Sequence, residues 1–203
     1  MSRTTLTRAA IVAAGRELAE SGGVEAVTMR RVGALLGCSA MALYRHVDDR
    51  AELLVLVLED LAEGIDVAVP GGTPAERLTA LFGRLFRYLR AHAWAIDVLR
   101  KGELFAPRAL HFVELALATL RGAGLDERGA TAAYLALWNF TVGSLCSERP
   151  TDDRAIARRL ALIDRAPLDR LPQVTAAMPV LAATDPETAY DHGVRALVTG
   201  LLA

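Results

Sequence analysis

Lysine is almost missing from this chain. Lys101 stands alone, and the rest of the basic charge is arginine. That bias fits a GC-rich genome, and no mechanism is drawn from it. An excess of charge of either sign is missing as well. With a net charge of −1 at pH 7, the chain as a whole does not advertise affinity for nucleic acid. A positive potential, if there is one, must be local. Cysteine is scarce. Cys38 and Cys146 lie far apart and lack the spacing of a metal site, so two thiols in a reducing compartment are the plain reading.

Long apolar runs are also lacking. The longest aliphatic stretch, Leu53 to Leu58, falls far short of the ~20 residues a membrane-spanning helix needs. The positive mean hydropathy comes instead from Ala, Leu and Val spread along the sequence. No apolar N-terminal segment with a cleavage site marks the chain for export, so a cytoplasmic protein with no membrane partner is expected. The signatures of a helical enzyme are missing: no metal-binding His-Glu arrangement on one helix, no phosphate loop and no triad. His111 and Glu114 share a helical face, but one such pair defines no site. An enzyme is not expected, and neither is a cofactor.

What is present is helical periodicity with clear start signals, which predicts an all-α fold. Thr7 reads as an N-cap, with Leu6 and Ile11 placed as a hydrophobic staple. Ile11, Ala14 and Leu18 form one stripe, ended by Gly22-Gly23. A short helix after Thr28 buries Val32, Leu35 and Leu36. Gly37 breaks it, and Ser39 caps a third helix on which Leu43 and Val47 share a face. Asp48 or Asp49 then caps a helix reaching about residue 66. Val69-Pro70-Gly71-Gly72 is the linker candidate. Thr73-Pro74-Ala75-Glu76 combines an N-cap, a first-turn proline and a capping-box glutamate for a helix to about His92. Further helices are expected near 94–100, 107–122, 127–148, 152–164, 173–183 and 186–202. Residues 1–50 thus form a three-helix helix-turn-helix unit with a connector helix to about 66. Residues 73–203 form a second helical domain.

The two short helices joined through Gly37-Cys38-Ser39 carry the functional signal. Gly37 supplies the positive φ of a tight turn, and Ser39 satisfies free amides at the next helix start. Leu43 and Val47 anchor that helix, which leaves Ala40, Met41, Ala42, Arg45 and His46 toward solvent. These are short and cationic side chains suited to a DNA groove. From Ala26 through Val47 there is no Asp or Glu, yet Arg30, Arg31, Arg45 and His46 fall within that stretch. Carboxylates have been cleared from the segment that would face phosphates. Arg31 reads as a solvated helix residue rather than a base reader, while His46 also reads as a cover for the helix end and Met41 as a core residue.

Residues Val27 to Val47, followed by Arg50 and Leu53-Leu54, closely resemble the DNA-binding domain of the tetracycline-repressor (TetR) family. The spacing of Thr28, Arg30, Gly37, Ser39, Leu43, Tyr44, His46 and Arg50 carries the resemblance over about residues 5–60. The remainder resembles the family in length and helical character, with a weaker likeness to the tetracycline-repressor C-terminal subgroup. The resemblance implies a transcriptional regulator, a repressor released from double-stranded operator DNA by a small hydrophobic effector. It also implies a homodimer whose recognition helices enter successive major grooves. Carried over, Thr28 and Tyr44 contact phosphate, and Arg30 reaches a phosphate or a guanine edge. Ala40, Met41, Arg45 and His46 face the bases beside Ser39, and Arg50 clamps the backbone. Cys38 stands where Val is usual, and Asp48-Asp49 where neutral or basic residues are.

The C-terminal part should then supply dimerisation and a ligand cavity. The last helix carries Tyr190, Val194, Leu197, Val198, Leu201 and Leu202 on a stripe, with Gly193 and Gly200 for close approach of a neighbour. The helix with Ala133, Leu137, Thr141 and Leu145 is apolar nearly all round. The resemblance places these two helices of each subunit in an intersubunit four-helix bundle. Aromatic residues make up only 5%, and many gather between Phe82 and Phe140. Phe86, Trp94, Phe105, Phe112 and Trp138, with Asn139 as a polar handle, are the candidate effector contacts. Core packing is the other reading of the same stripe. A ligand-independent DNA-binding or protein-interaction module is the alternative to a ligand-responsive regulator.

Overall fold

The computed structural model of the chain describes residues 6–68, 71–102, 104–147, 153–163 and 165–203. Among these residues there are α-helices and short 3-10 turns but no strand, in keeping with the all-α expectation. The N-terminal unit comprises α1 (Arg8–Gly22), α2 (Met29–Leu35), α3 (Ala40–Leu43) and α4 (Arg50–Glu63). Thr7 caps α1 through its hydroxyl, which accepts the Ala10 amide at 3.2 Å. Asp49, rather than Asp48, caps α4, accepting the Glu52 amide at 2.8 Å. Ile11 and Ala14 of α1, Val32 of α2, Leu43, Val47 and Leu53 and Val57 of α4 close over one another as the core of the unit.

Leu35 departs from expectation, being 45% exposed. At about 100° per residue, the inner face of so short a helix takes Met29, Val32 and Leu36, and Leu35 falls outside it. The third helix is also shorter than its pattern suggested. α3 ends at Leu43, and Tyr44–His46 continue as a turn, with the Val47 amide returning to the Leu43 carbonyl at 3.1 Å.

The C-terminal part is built on α5 (Pro74–Ala91), which packs against α11 (Pro186–Leu201), α7 (Leu110–Gly122) and α8 (Glu127–Cys146). Its start is the capping box written in the sequence. Thr73 Oγ1 accepts the Glu76 amide at 3.3 Å, and the Glu76 carboxylate accepts the Thr73 amide at 2.8 Å. The Thr73 amide, and the Thr73 hydroxyl donating at 3.0 Å, hold the Glu76 carboxyl below its ordinary value. α6 (Ala93–Lys101) and a 3-10 turn at Pro107–Ala109 bridge α5 and α7. α9 (Asp153–Ile163) and α10 (Pro172–Ala183) complete the chain order. Val69-Pro70 of the expected linker, the end of α8 at residue 148 and the expected bounds of α9 at residues 152 and 164 lie outside the described residues.

Tyr190 of α11 is the pin of this half. Its ring stacks on Phe86 at 3.9 Å, and its hydroxyl lies 2.8 Å from Thr141 Oγ1 and 3.1 Å from the Phe82 carbonyl. Burial pushes the phenol well above its ordinary value, so it stays protonated. Gly193 serves this packing rather than a neighbouring subunit, because a Cβ there would meet Phe140 Cζ at 2.4 Å. Gly200, by contrast, faces open space.

Candidate functional site

The turn between α2 and α3 sets how the third helix is presented. Gly37 adopts φ 66°, as its place at the helix end required. A second glycine, unremarked in the sequence, is tighter still. A Cβ on Gly33 would lie 2.8 Å from the Cys38 carbonyl oxygen and 3.2 Å from the Ala40 amide nitrogen. The Cys38 amide closes the turn on the Gly33 carbonyl at 2.8 Å. Gly33 therefore lets α2 and the start of α3 approach backbone to backbone. A glycine within an otherwise apolar helix face was the available signal.

The side chains expected at DNA mostly stand outward. Met41 is 76% exposed and Tyr44 48%. Arg30, Arg31, Ser39 and Arg45 are exposed, while Thr28, Ala40 and His46 are half-buried. Arg30, Arg31 and Arg45 make no ion pair among the described residues, so their charge is available to an outside anion. Thr28 caps α2, accepting the Arg31 amide at 3.3 Å, which leaves its hydroxyl proton to donate. Ser39 makes no side-chain capping bond, contrary to expectation. The Ala42 amide takes the Ser39 carbonyl instead, at 3.0 Å, and the hydroxyl remains exposed.

Arg50, expected to clamp the DNA backbone, is engaged within the N-terminal unit. Its Nε donates to the Val27 carbonyl at 2.6 Å and its guanidinium to the Val24 carbonyl at 2.8 Å, with Glu25 at 3.5 Å. The Val27 carbonyl, and the Val24 carbonyl that also accepts the Val27 amide at 3.2 Å, take up its donors. The side chain fastens the start of α4 to the segment leading into α2.

Leu58, Leu61 and Ala62 of α4, with Ile65 just beyond its end, form one wall of an apolar cavity of about 310 Å³. α5 contributes Leu85 and Leu89, α8 contributes Tyr134, Leu135 and Trp138, and α7 contributes Phe112. The 102–109 connector closes it with Leu104, Phe105 and Ala106 among others. Arg108 of that connector grips α4, pairing with Glu59 at 3.2 Å and Glu63 at 2.9 Å. From the other side Arg16 of α1 reaches Asp60 at 2.7 Å. One helix thus lines the cavity and is bound to the helix-turn-helix at its other end.

Phe105, Phe112 and Trp138 line this cavity, whereas three other expected contacts do not. Phe86 is sealed in the core by its stack with Tyr190. Trp94 is 5% exposed and lies outside the lining, its indole N–H without an acceptor among the described residues. Asn139, the residue after Trp138, sits on the exposed side of α8 and is not part of the lining. The aliphatic walls contain no aromatic residue that would mark them in the sequence. The i, i+3, i+4, i+7 spacing of Leu58, Leu61, Ala62 and Ile65 was the signal that could have found them.

Comparison with known proteins agrees with this geometry. Residues 11–57 match the family model for bacterial regulatory proteins of the tetR family, and residues 68–203 match the model for the tetracyclin repressor-like C-terminal domain. An HTH-type transcriptional regulator of Saccharopolyspora erythraea is 30% identical over 207 residues, covering 100% of this chain and 87% of its own. The HTH-type transcriptional repressor DrrR1 of Streptomyces coeruleorubidus is 29% identical, over 98% of this chain and 78% of its own. Among solved structures, the TetR family protein ActR of Streptomyces coelicolor in complex with actinorhodin superposes with a TM-score of 0.80. Its identity is 23%, over 98% of this chain and 97% of that one. Both halves of the sequence and the whole fold point the same way: the chain belongs to the tetracycline-repressor family of DNA-binding transcriptional regulators rather than to the enzymes.

Proposed function

We propose that the chain is a homodimeric repressor, working in the cytoplasm, that leaves its operator when a hydrophobic small molecule fills the C-terminal cavity. The observation that carries this is the double duty of α4, whose apolar face walls the cavity while Arg50 ties its start to the helix-turn-helix. A ligand that spreads the wall strains α4 and changes the separation of the two recognition helices. Operator-competent geometry requires about 34–36 Å between half-site centres. The effector shifts the population only as far as its affinity differs between the two arrangements. Calorimetric saturation with a cavity ligand, followed by an operator titration, tests this. Operator affinity is expected to fall at least tenfold. Unchanged affinity at saturation refutes ligand control and favours a ligand-independent DNA-binding module.

At the DNA, Arg45, Met41, Ala40 and His46 face base edges. Thr28, Ser39, Tyr44 and Arg30 hold phosphates, with Arg30 also within reach of a guanine. Arg45→Ala and Tyr44→Phe are each expected to weaken operator binding by about 1–3 kcal/mol, the range of one good contact. A gel-shift titration at fixed salt reads this, and wild-type affinity in both variants removes the assignment.

Dimerisation is supported by what the single chain leaves uncovered. α9 and α10 contain no buried residue among those described, yet Leu160, Leu162, Val180 and Leu181 are each more than half exposed. The outer face of α8 presents Ala132, Gly143 and Cys146, and that of α11 presents Ala196 and Gly200. Small side chains there allow helices of a second copy to approach closely. A second copy of the chain covers these apolar surfaces.

A further inference from the structure

The cavity wall is unusual in what it withholds from a ligand. Among its described lining residues there is no Asp, Glu, Lys, Arg, His, Asn or Gln. Two lining side chains carry a polar group, the Tyr134 hydroxyl and the Trp138 indole, and neither has a hydrogen-bond partner among the described residues. Burial pushes the Tyr134 phenol above its ordinary value, so at neutral pH it is a hydroxyl with a proton to give. The indole N–H can only donate. A side-chain set of two unused donors with no charge is suited to an oxygen acceptor.

The neighbouring cleft does contain charge. It includes Glu63, Arg108 and His111, and shares Ala62, Ile65, Ala109 and Phe112 with the cavity. That charge is already spoken for. Arg108 is matched by Glu59 and Glu63, and His111 Nδ1 lies 3.1 Å from the Arg108 carbonyl. A carboxylate or ammonium entering the cavity would give up its hydration without meeting a counter-charge among the described lining residues. Among the described residues the lining also lacks a carboxylate or imidazole with which to hold a cation carried in by a ligand. A neutral molecule with a ketone, quinone or ether oxygen loses little hydration and regains a hydrogen bond from Tyr134 or Trp138.

We infer that the cavity selects uncharged molecules with an apolar body and at least one hydrogen-bond-accepting oxygen, with Tyr134 and Trp138 as the specificity-determining donors. This rests on the cavity being a ligand site, as proposed above, and goes beyond it by fixing the ligand's charge and its polar handle.

Three flat tricycles of nearly equal size test it by equilibrium dialysis against the full chain without DNA: fluorene, fluorenone and a fluorenone carboxylate. Fluorenone is expected to bind at least tenfold more tightly than the carboxylate. In the variant combining Tyr134→Phe with Trp138→Phe, fluorenone affinity is expected to fall at least fivefold while fluorene affinity stays within about twofold. Equal or tighter binding of the carboxylate overturns the inference. So does a double variant that keeps wild-type fluorenone affinity, and so does failure of the wild-type chain to bind fluorenone up to its solubility. The three probes compared on the wild-type chain keep the charge rule falsifiable if the variant does not fold. Operator release is measured separately. Fluorenone that binds as expected but leaves operator affinity unchanged removes effector control and leaves the selectivity of the cavity standing.

Discussion

Gly33→Val abolishes specific operator binding, lowering affinity by about a hundredfold or more, the equivalent of two good base contacts. The added Cβ would fall 2.8 Å from a carbonyl oxygen and 3.2 Å from an amide nitrogen, both main-chain atoms of the turn into α3. Neither can rotate away as a side-chain tip could. The turn must open, and the hydrogen bond from the Cys38 amide to the Gly33 carbonyl opens with it. α3, anchored by Leu43 and Val47, then changes its angle to α2, and the exposed Met41, Tyr44 and Arg45 lose their register together. Overpacking of this kind costs about 1–3 kcal/mol in stability, so circular dichroism should still report a helical protein. Fluorescence anisotropy with a labelled operator reads the binding loss. Wild-type affinity in Gly33→Val means the α2–α3 geometry does not control recognition.

Tyr190→Ala should produce the largest loss of stability among single changes in the C-terminal half, about 3–5 kcal/mol. The ring is 2% exposed and stacks on both Phe86 and Phe140. Its removal leaves a cavity where α5, α8 and α11 meet. Tyr190→Phe keeps the ring and removes only the hydroxyl shared with Thr141 and Phe82, so it should cost about 1–3 kcal/mol. Thermal melts separate the two, at about 2–4 °C per kcal/mol for a chain of this size. Equal melting points for the alanine and phenylalanine variants would show that the stack contributes nothing beyond the hydrogen bonds.

Much of the local structure was legible before any coordinates, because caps and turns are decided by neighbours in sequence. Thr73, Pro74 and Glu76 announce α5, and the capping box is there. Gly37 announces the turn, and its φ is positive. Legibility fades where a residue's role depends on distant partners. Arg50 stands where the family resemblance expects a backbone clamp, and in the folded chain its donors reach the Val24 and Val27 carbonyls, which no local pattern announces. Phe86 and Trp94 look like pocket aromatics by type, yet the crossing of α5 with α11 seals one, and the other lies outside the lining. Leu35 follows the apolar pattern, but seven residues of α2 offer too narrow an inner face to hold it. Gly33 is the opposite case, a residue whose importance comes entirely from the backbone across the turn.

The most direct test is selection from a pool of random DNA duplexes by the full-length chain, with sequencing of the bound fraction. Two copies of an outward-facing α3 require enriched sites with two-fold symmetry and half-site centres about one helical turn apart. Those sites should lose their retention when Arg45→Ala replaces the wild type. No enrichment over the starting pool, or a single asymmetric site held equally well by Arg45→Ala, would contradict operator recognition by this surface.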